Sequence, residues 1–131
     1  MKTGAIVYKD YLQMLEKNII SSQNISSKQI QPSSIDLTLS EECYEIKASF
    51  LSPICKVRKK LNDIIIKKIN LNKPYVFKKN KTYLVKLNEK LNLPKNFFGK
   101  CNPKSSTGRL DIFCRTILDF SDEYEKIPFN Y

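Results

Sequence analysis

Histidine is missing from the sequence altogether. Its absence excludes serine–histidine and cysteine–histidine nucleophile pairs and histidine-bearing catalytic zinc sites, so any acid–base work falls to Asp, Glu, Lys, Tyr or water. The four cysteines, Cys43, Cys55, Cys101 and Cys114, never form a C-x-x-C pair. A closed zinc site would have to gather all four from scattered positions, so we expect no zinc and read them as small buried hydrophobes in a reducing compartment. Long apolar runs are lacking too. The longest, Ala5 to Tyr8, falls far short of the roughly 20 residues of a membrane span, and the N-terminus has no basic region followed by an apolar stretch and a cleavage site. The expectation is a cytoplasmic protein without membrane association. With no repeats or low-complexity linkers, the 131 residues suit a single domain over 1–131, long enough to bury roughly two-thirds of its unfolded surface.

Arginine is scarce in a basic chain. Lys and Arg number 23 against 13 Asp and Glu, a formal charge of +10, yet Arg58, Arg109 and Arg115 are the only arginines. A positive surface draws polyanions. Lysines such as Lys59 and Lys60, Lys67 and Lys68, and Lys78, Lys79 and Lys81 are equally the dress of a solvated face, and abundant Asn and Ile point to a compositional bias. No clustered stripe with interleaved aromatics is visible, which argues against nucleic acid as a partner.

What is present reads as mainly β. One segment has helical period: Val7, Tyr8, Tyr11, Leu12, Leu15 and Ile19 fall on one face, with Lys9, Asp10, Gln13 and Glu16 outside. After the polar stretch Ser21 to Gln29, "SIDLTL" alternates Ile35, Leu37 and Leu39 with Asp36 and Thr38, as in a half-buried strand with Asp36 turned away from its apolar face. Further strands are predicted at Tyr44–Phe50, Ile54–Val57, Ile64–Ile69, Tyr75–Phe77, 82–87 and Phe97–Cys101, separated by Asn, Lys and single prolines. Many short strands behind one helix indicate a sandwich or distorted barrel.

Two stretches carry a resemblance. "IQPSSIDLTL", Ile30 to Leu39, followed by "GKCNPKSSTGRL", Gly99 to Leu110, resembles the first two motifs of the dCTP deaminases of the dUTPase-like superfamily. The order Thr3-Gly4, Ile30 to Leu37, Ala48 to Leu51, Asn102 to Asp111 and Ile127 to Tyr131 is similar to that of the long, two-part dCTP deaminases of alphaproteobacteria. Either motif alone is weak; the ordered set spans nearly the whole chain and is specific. The resemblance implies a dUTPase-like, jelly-roll-like β barrel, incomplete here. It implies trimers with sites between subunits, and hydrolysis of dCTP to dUTP without zinc. The triphosphate is held as its Mg2+ complex, with dCTP or dUTP as ligand.

Transferred by position, Lys104 stands where the family has a basic phosphate ligand. Ser105 stands for a serine near both the phosphates and the catalytic water, and Ser106 for a phosphate-binding serine. Arg109 stands for the arginine that organises the site. Asp36 matches the motif-one aspartate near the metal and phosphates, or else holds the barrel through a neighbouring turn. Arg115 and Asp119 fall where the family builds the floor of the sugar and base pocket, with a solvated strand face as the equal alternative. The bland reading of Ser-Ser-Thr-Gly is a surface turn, with hydroxyls bonded to their own backbone and Gly at positive φ.

The third family motif is begun by "IPFNY", and the chain ends at Tyr131 ahead of the strand that carries the family's catalytic glutamate. Glu123 and Glu125 precede that motif and are not its equivalent. The expectation is therefore a chain that is inactive alone, with open strand edges that favour self-association or a companion chain supplying the missing strands. The competing readings are a non-catalytic deoxynucleoside triphosphate-binding or assembly module and a basic nucleic-acid-binding domain.

Overall fold

The structure is a computed structural model, and it describes residues 4–50, 57–94 and 96–115. In chain order the elements are helix α1 (Tyr8–Glu16), strand β1 (Ile20–Ser21), a 3-10 turn (Ser27–Gln29), strand β2 (Leu39–Ile46), helix α2 (Val57–Ile64), strands β3 (Ile65–Asn70), β4 (Thr82–Leu87) and β5 (Lys90–Leu91), and helix α3 (Ser105–Gly108). β2 is the middle strand of an antiparallel three-stranded sheet, β3-β2-β4, and β1 pairs with β5 in a second antiparallel sheet. The fold is mainly antiparallel β with few helices, as the alternating runs predict.

The main sheet is covered by α2. Val57 and Leu61 lie one turn apart on one helix face and meet Tyr44 and Ile46 of β2 and Leu84 of β4 in the core, with Ile64, Ile65 and Phe50 packed around them. Burial of such side chains is worth about 1.5–3 kcal/mol each. Arg58 ties the helix to the strand from outside through a two-pronged ion pair with Glu42, Nη1–Oε1 2.7 Å and Nη2–Oε2 3.1 Å. The Tyr44 hydroxyl also donates to Glu42, and Lys86 lies 3.7 Å away. The Arg58 hydrogen bonds, helped by Tyr44 and opposed by burial, hold the Glu42 carboxyl down at about 2. On the other face, Lys67, Glu45 and Tyr83 lie side by side across the three strands, and buried Glu45 pairs with Lys81 at 3.2 Å.

Several predicted elements fall differently. The predicted strand Ile54–Val57 is replaced at Val57 by the first residue of α2, because Val57, Leu61 and Ile64 recur at helical spacing; its other residues lie outside the described ones. Tyr75 and Phe77 form no strand but an edge-to-face aromatic group with Tyr83, ring centres 4.8–6.1 Å apart, over which Lys67 lies. Phe97–Cys101 forms no ladder, and β2 stops at Ile46, short of the predicted Phe50. β4 matches its prediction residue for residue, and β3 is displaced by one. The predicted strand at Ile35–Leu39 is paired at its two ends, by the bridge of Ile35 to Ile30 and by Leu39, which opens β2 opposite Leu87 and is 55 % exposed. In α1 the inward face is Tyr11, Met14 and Leu15, whereas Val7, Tyr8 and Leu12 are exposed, a rotation of the predicted face.

Of the cysteines, Cys43 is fully buried, and burial raises its thiol to about 11, so it behaves as the expected inert hydrophobe. Cys101 is half-buried and Cys114 is exposed, against that expectation; Cys55 lies outside the described residues. Among the described residues no helix is long and apolar enough to cross a membrane.

Candidate functional site

The segment from Gln29 to Thr38 folds back on itself. A tight turn closes it where the Gln31 N–H donates to the Ser34 carbonyl at 2.9 Å. The turn is tied to the N-terminal region by Tyr8 N–H to the Pro32 carbonyl, 3.0 Å, and by the Ser33 hydroxyl to the Ile6 carbonyl, 2.9 Å. Asp36 sits on the returning arm with both sides of its backbone fixed by one residue: its N–H donates to the Gln29 carbonyl at 2.8 Å, and its carbonyl accepts from Gln29 Nε2 at 3.0 Å. Its carboxylate Oδ2 accepts from Gln31 Nε2 at 3.4 Å and pairs with Lys104 Nζ at 2.8 Å. Of the two openings left for Asp36, the brace of a neighbouring turn is seen in its bonds to Gln29 and Gln31, and its ion pair joins it to Lys104.

Lys104 is the N-cap of α3, with extended ψ of 151°. Ser105, Ser106 and Thr107 then form the first turn, whose N–H groups have no acceptor within a helix. Arg109 keeps helical backbone and donates its N–H to the Ser105 carbonyl at 3.0 Å, so Ser105 and Arg109, four apart, share a face. Ser105, Ser106 and Arg109 are exposed. The end of the turn corrects the glycine reading. Gly108 has no positive φ, and a Cβ there would meet Pro103 only at ordinary contact, 3.7 Å. The left-handed position is Asp111, φ 56°, where Asp111 N–H donates to the Gly108 carbonyl and Ile112 N–H to the Thr107 carbonyl. This is a helix-ending Schellman arrangement with Asp in the place Gly usually takes.

The structure therefore unites Asp36 with Lys104 and strings Ser105, Ser106 and Arg109 along the same short helix. Arg115 is exposed, and among the described residues no hydrogen bond or ion pair joins it to Asp36 or Lys104. Asp119, Glu123, Glu125 and Ile127–Tyr131 lie outside the described residues. A surface groove of about 350 Å³ between residues 39–41 and 71–77 contains none of the predicted site residues.

Behind Asp36 is a carboxylate that sequence reasoning missed. Glu89, 1 % exposed, accepts from Gln29 Nε2 and the Thr38 hydroxyl at Oε1, both 2.8 Å, and from the Thr38 N–H at Oε2, 2.9 Å. Asn88 completes the group, donating from Nδ2 to the Thr38 hydroxyl and the Leu39 carbonyl, each at 3.0 Å. Gln29 and Gln31 had a signal, their place inside and beside the first motif. Glu89 had none, since Asn-Glu-Lys after a strand reads as a solvated turn.

The clamped acidic turn and the lysine-led hydroxyl helix are carried on antiparallel β sheets, and a solved structure shows that this fold is dUTPase-like. The crystal structure of 2'-deoxycytidine 5'-triphosphate deaminase from Agrobacterium tumefaciens superposes with a TM-score of 0.84 at 35 % sequence identity, covering 100 % of this chain and 40 % of that one. The family model for the N-terminal domain of 2'-deoxycytidine 5'-triphosphate deaminases matches residues 2–131, and the chain belongs to that family. No curated protein matches the chain in sequence comparison. The chain thus spans less than half the length of its structural relative.

Proposed function

We propose that this chain carries the triphosphate arm of a dCTP deaminase site and that the assembled protein hydrolyses dCTP to dUTP. The observation that carries the reading is the 2.8 Å pair between Lys104 and Asp36, which joins the first family motif to the second. Lys104 and Arg109 supply positive charge, Ser105 and Ser106 supply hydroxyl donors, and the first-turn N–H groups of α3, which have no acceptor within the helix, add dipoles suited to phosphate oxygens. Arg115 and Asp119 are proposed for the sugar and base end of the same ligand. Lysine at position 104 gives a point charge rather than a two-pronged contact, which suits a mobile phosphate oxygen more than a fixed one.

The donor set fits Mg2+ brought in by the nucleotide, since Mg2+ is commonly held by one or two carboxylates together with substrate phosphates. Asp36 is the carboxylate that would hold it, and the ion would neutralise triphosphate charge. In the reaction, water oxygen adds at C4 of cytosine, the C4–N4 bond breaks and ammonia leaves, so water and dCTP yield dUTP and ammonia. Ser105 is proposed to orient that water, with the arm holding the nucleotide beside it. A homo-oligomer, a trimer by family analogy, is part of the proposal. It is supported by Leu110, Ile112 and Phe113, apolar residues directly after α3 that are exposed in the isolated chain, Phe113 to 91 %.

Titration with dCTP or dUTP in the presence of Mg2+ tests the reading. A rise in melting temperature, abolished by Arg109→Ala, is expected. If neither nucleotide moves it, the chain holds no such arm. Salt-dependent binding to DNA or RNA that Arg109→Ala leaves intact would favour the nucleic-acid reading instead.

A further inference from the structure

We infer that Glu89 is a positioning residue for the phosphate arm, an assignment that rests on the reading of that arm given above. Enclosing a carboxylate costs several kcal/mol unless donors compensate it, and an apolar side chain of similar size would fill the same space without that cost. Here three donors converge on Glu89, and all come from Gln29 and Thr38, the residues that bracket the turn bearing Asp36.

Gln29 is the link. Its Oε1 accepts the Ser26 N–H at 2.9 Å, and its Nε2 serves both Glu89 Oε1, 2.8 Å, and the Asp36 carbonyl, 3.0 Å. The amide therefore has one orientation that satisfies every partner. With Glu89 removed, Gln29 loses the acceptor that orients its Nε2, and the Thr38 N–H loses the carboxylate it donates to. Asp36, held on both sides of its backbone by Gln29, then loses the fixed geometry that sets its carboxylate against Lys104. Glu89 bonds to Gln29 and Thr38, and its reach to Lys104 is through the Gln29–Asp36 backbone pairing.

Glu89→Gln preserves shape but presents an amide nitrogen to Gln29 or Thr38. Measured by calorimetric titration of the full chain with dCTP and Mg2+, it is expected to raise the dissociation constant about tenfold, the worth of one hydrogen bond to a charged group. In a Lys104→Ala background the same change is expected to raise it less than about twofold, because the route to the phosphates is already cut. Equal factors in both backgrounds would show general destabilisation and overturn the inference. A nucleotide-free readout separates the two levels of the proposal. In amide NMR spectra, Glu89→Gln should move the Asp36 and Lys104 signals. If they stay in place, Glu89 does not position the pair, whatever the nucleotide does. If they move in a protein whose wild type binds no dCTP, the positioning stands and the phosphate reading fails. Should Glu89→Gln not fold, Thr38→Val, which deletes one donor and keeps the shape, is read by the same two measurements.

Discussion

The three-stranded sheet and the α3 arm are built on opposite principles. The sheet joins residues distant in sequence: β2 pairs with β3 on one side and β4 on the other, and α2 closes one face over a shared core. The arm, residues 102–112, is shaped by hydrogen bonds between residues three to five apart, and Lys104, Ser105, Ser106, Arg109 and Asp111 on it are exposed. The Lys104–Asp36 pair ties it to the body. The contrast teaches that the packed core and the exposed polar groups lie in different parts of the chain, and under the proposed function it assigns stability to the first and ligand affinity to the second. Changes in the sheet should alter folding, and changes in the arm should alter binding.

The hardest test of that division is a core deletion. Leu61→Ala, at a 4 % exposed position, is expected to cost about 2–5 kcal/mol in urea unfolding. If its stability loss falls within experimental error, the sheet is not the seat of stability. The mirror experiment is Lys104→Ala, expected to weaken binding of dCTP with Mg2+ about tenfold by calorimetry while leaving unfolding within about 0.5 kcal/mol, because an exposed ion pair contributes little to folding. A large fall in stability would erase the distinction.

A smaller effect sharpens the sheet side through pH. Glu42 titrates near 2 in the folded chain against 4.5 ordinarily, so its pairing stabilises the fold above about pH 4.5, and that share is lost as pH falls towards 2. Glu42→Gln should cost about 1 kcal/mol at pH 7, with the gap to wild type closing between pH 4.5 and 2 in urea titrations. A gap that stays constant with pH would assign the loss to packing. The smallest effect concerns the arm's own geometry. Asp111→Gly relieves a left-handed residue, φ 56°, and is expected to raise stability by roughly 0.5–1 kcal/mol without altering dCTP affinity.

Scarcity of glycine shows why some features escaped the sequence reading. With three glycines in the chain, the non-glycine left-handed positions among the described residues are Asn18, Asn80 and Asp111, at φ of 54°, 60° and 56°. Asn18 closes α1 as Asp111 closes α3, its N–H bonding to the Leu15 carbonyl while the Ile19 N–H reaches the Met14 carbonyl. Glycine marked none of these turns. Helix α2 was legible in principle from Val57, Leu61 and Ile64, but three apolar positions among charges are too few to outweigh the β-branched run Ile64 to Ile66 that follows.

By itself the sequence determined the elements whose pattern is local and the family. Alternation in Thr82–Leu87 predicts β4, and two ordered motifs single out Asp36, Lys104, Ser105 and Arg109 as candidate site residues. The tertiary structure alone decided which of them meet. It turned Ile35–Thr38 from a ladder into a clamped turn, because Gln29 and the buried Glu89 take the hydrogen bonds that a neighbouring strand would have taken. Periodicity records which side of an element is apolar. It does not record that a carboxylate late in the chain will be enclosed behind an aspartate near its beginning, since that depends on the pairing of β1 with β5 and on the return of the chain past Thr38.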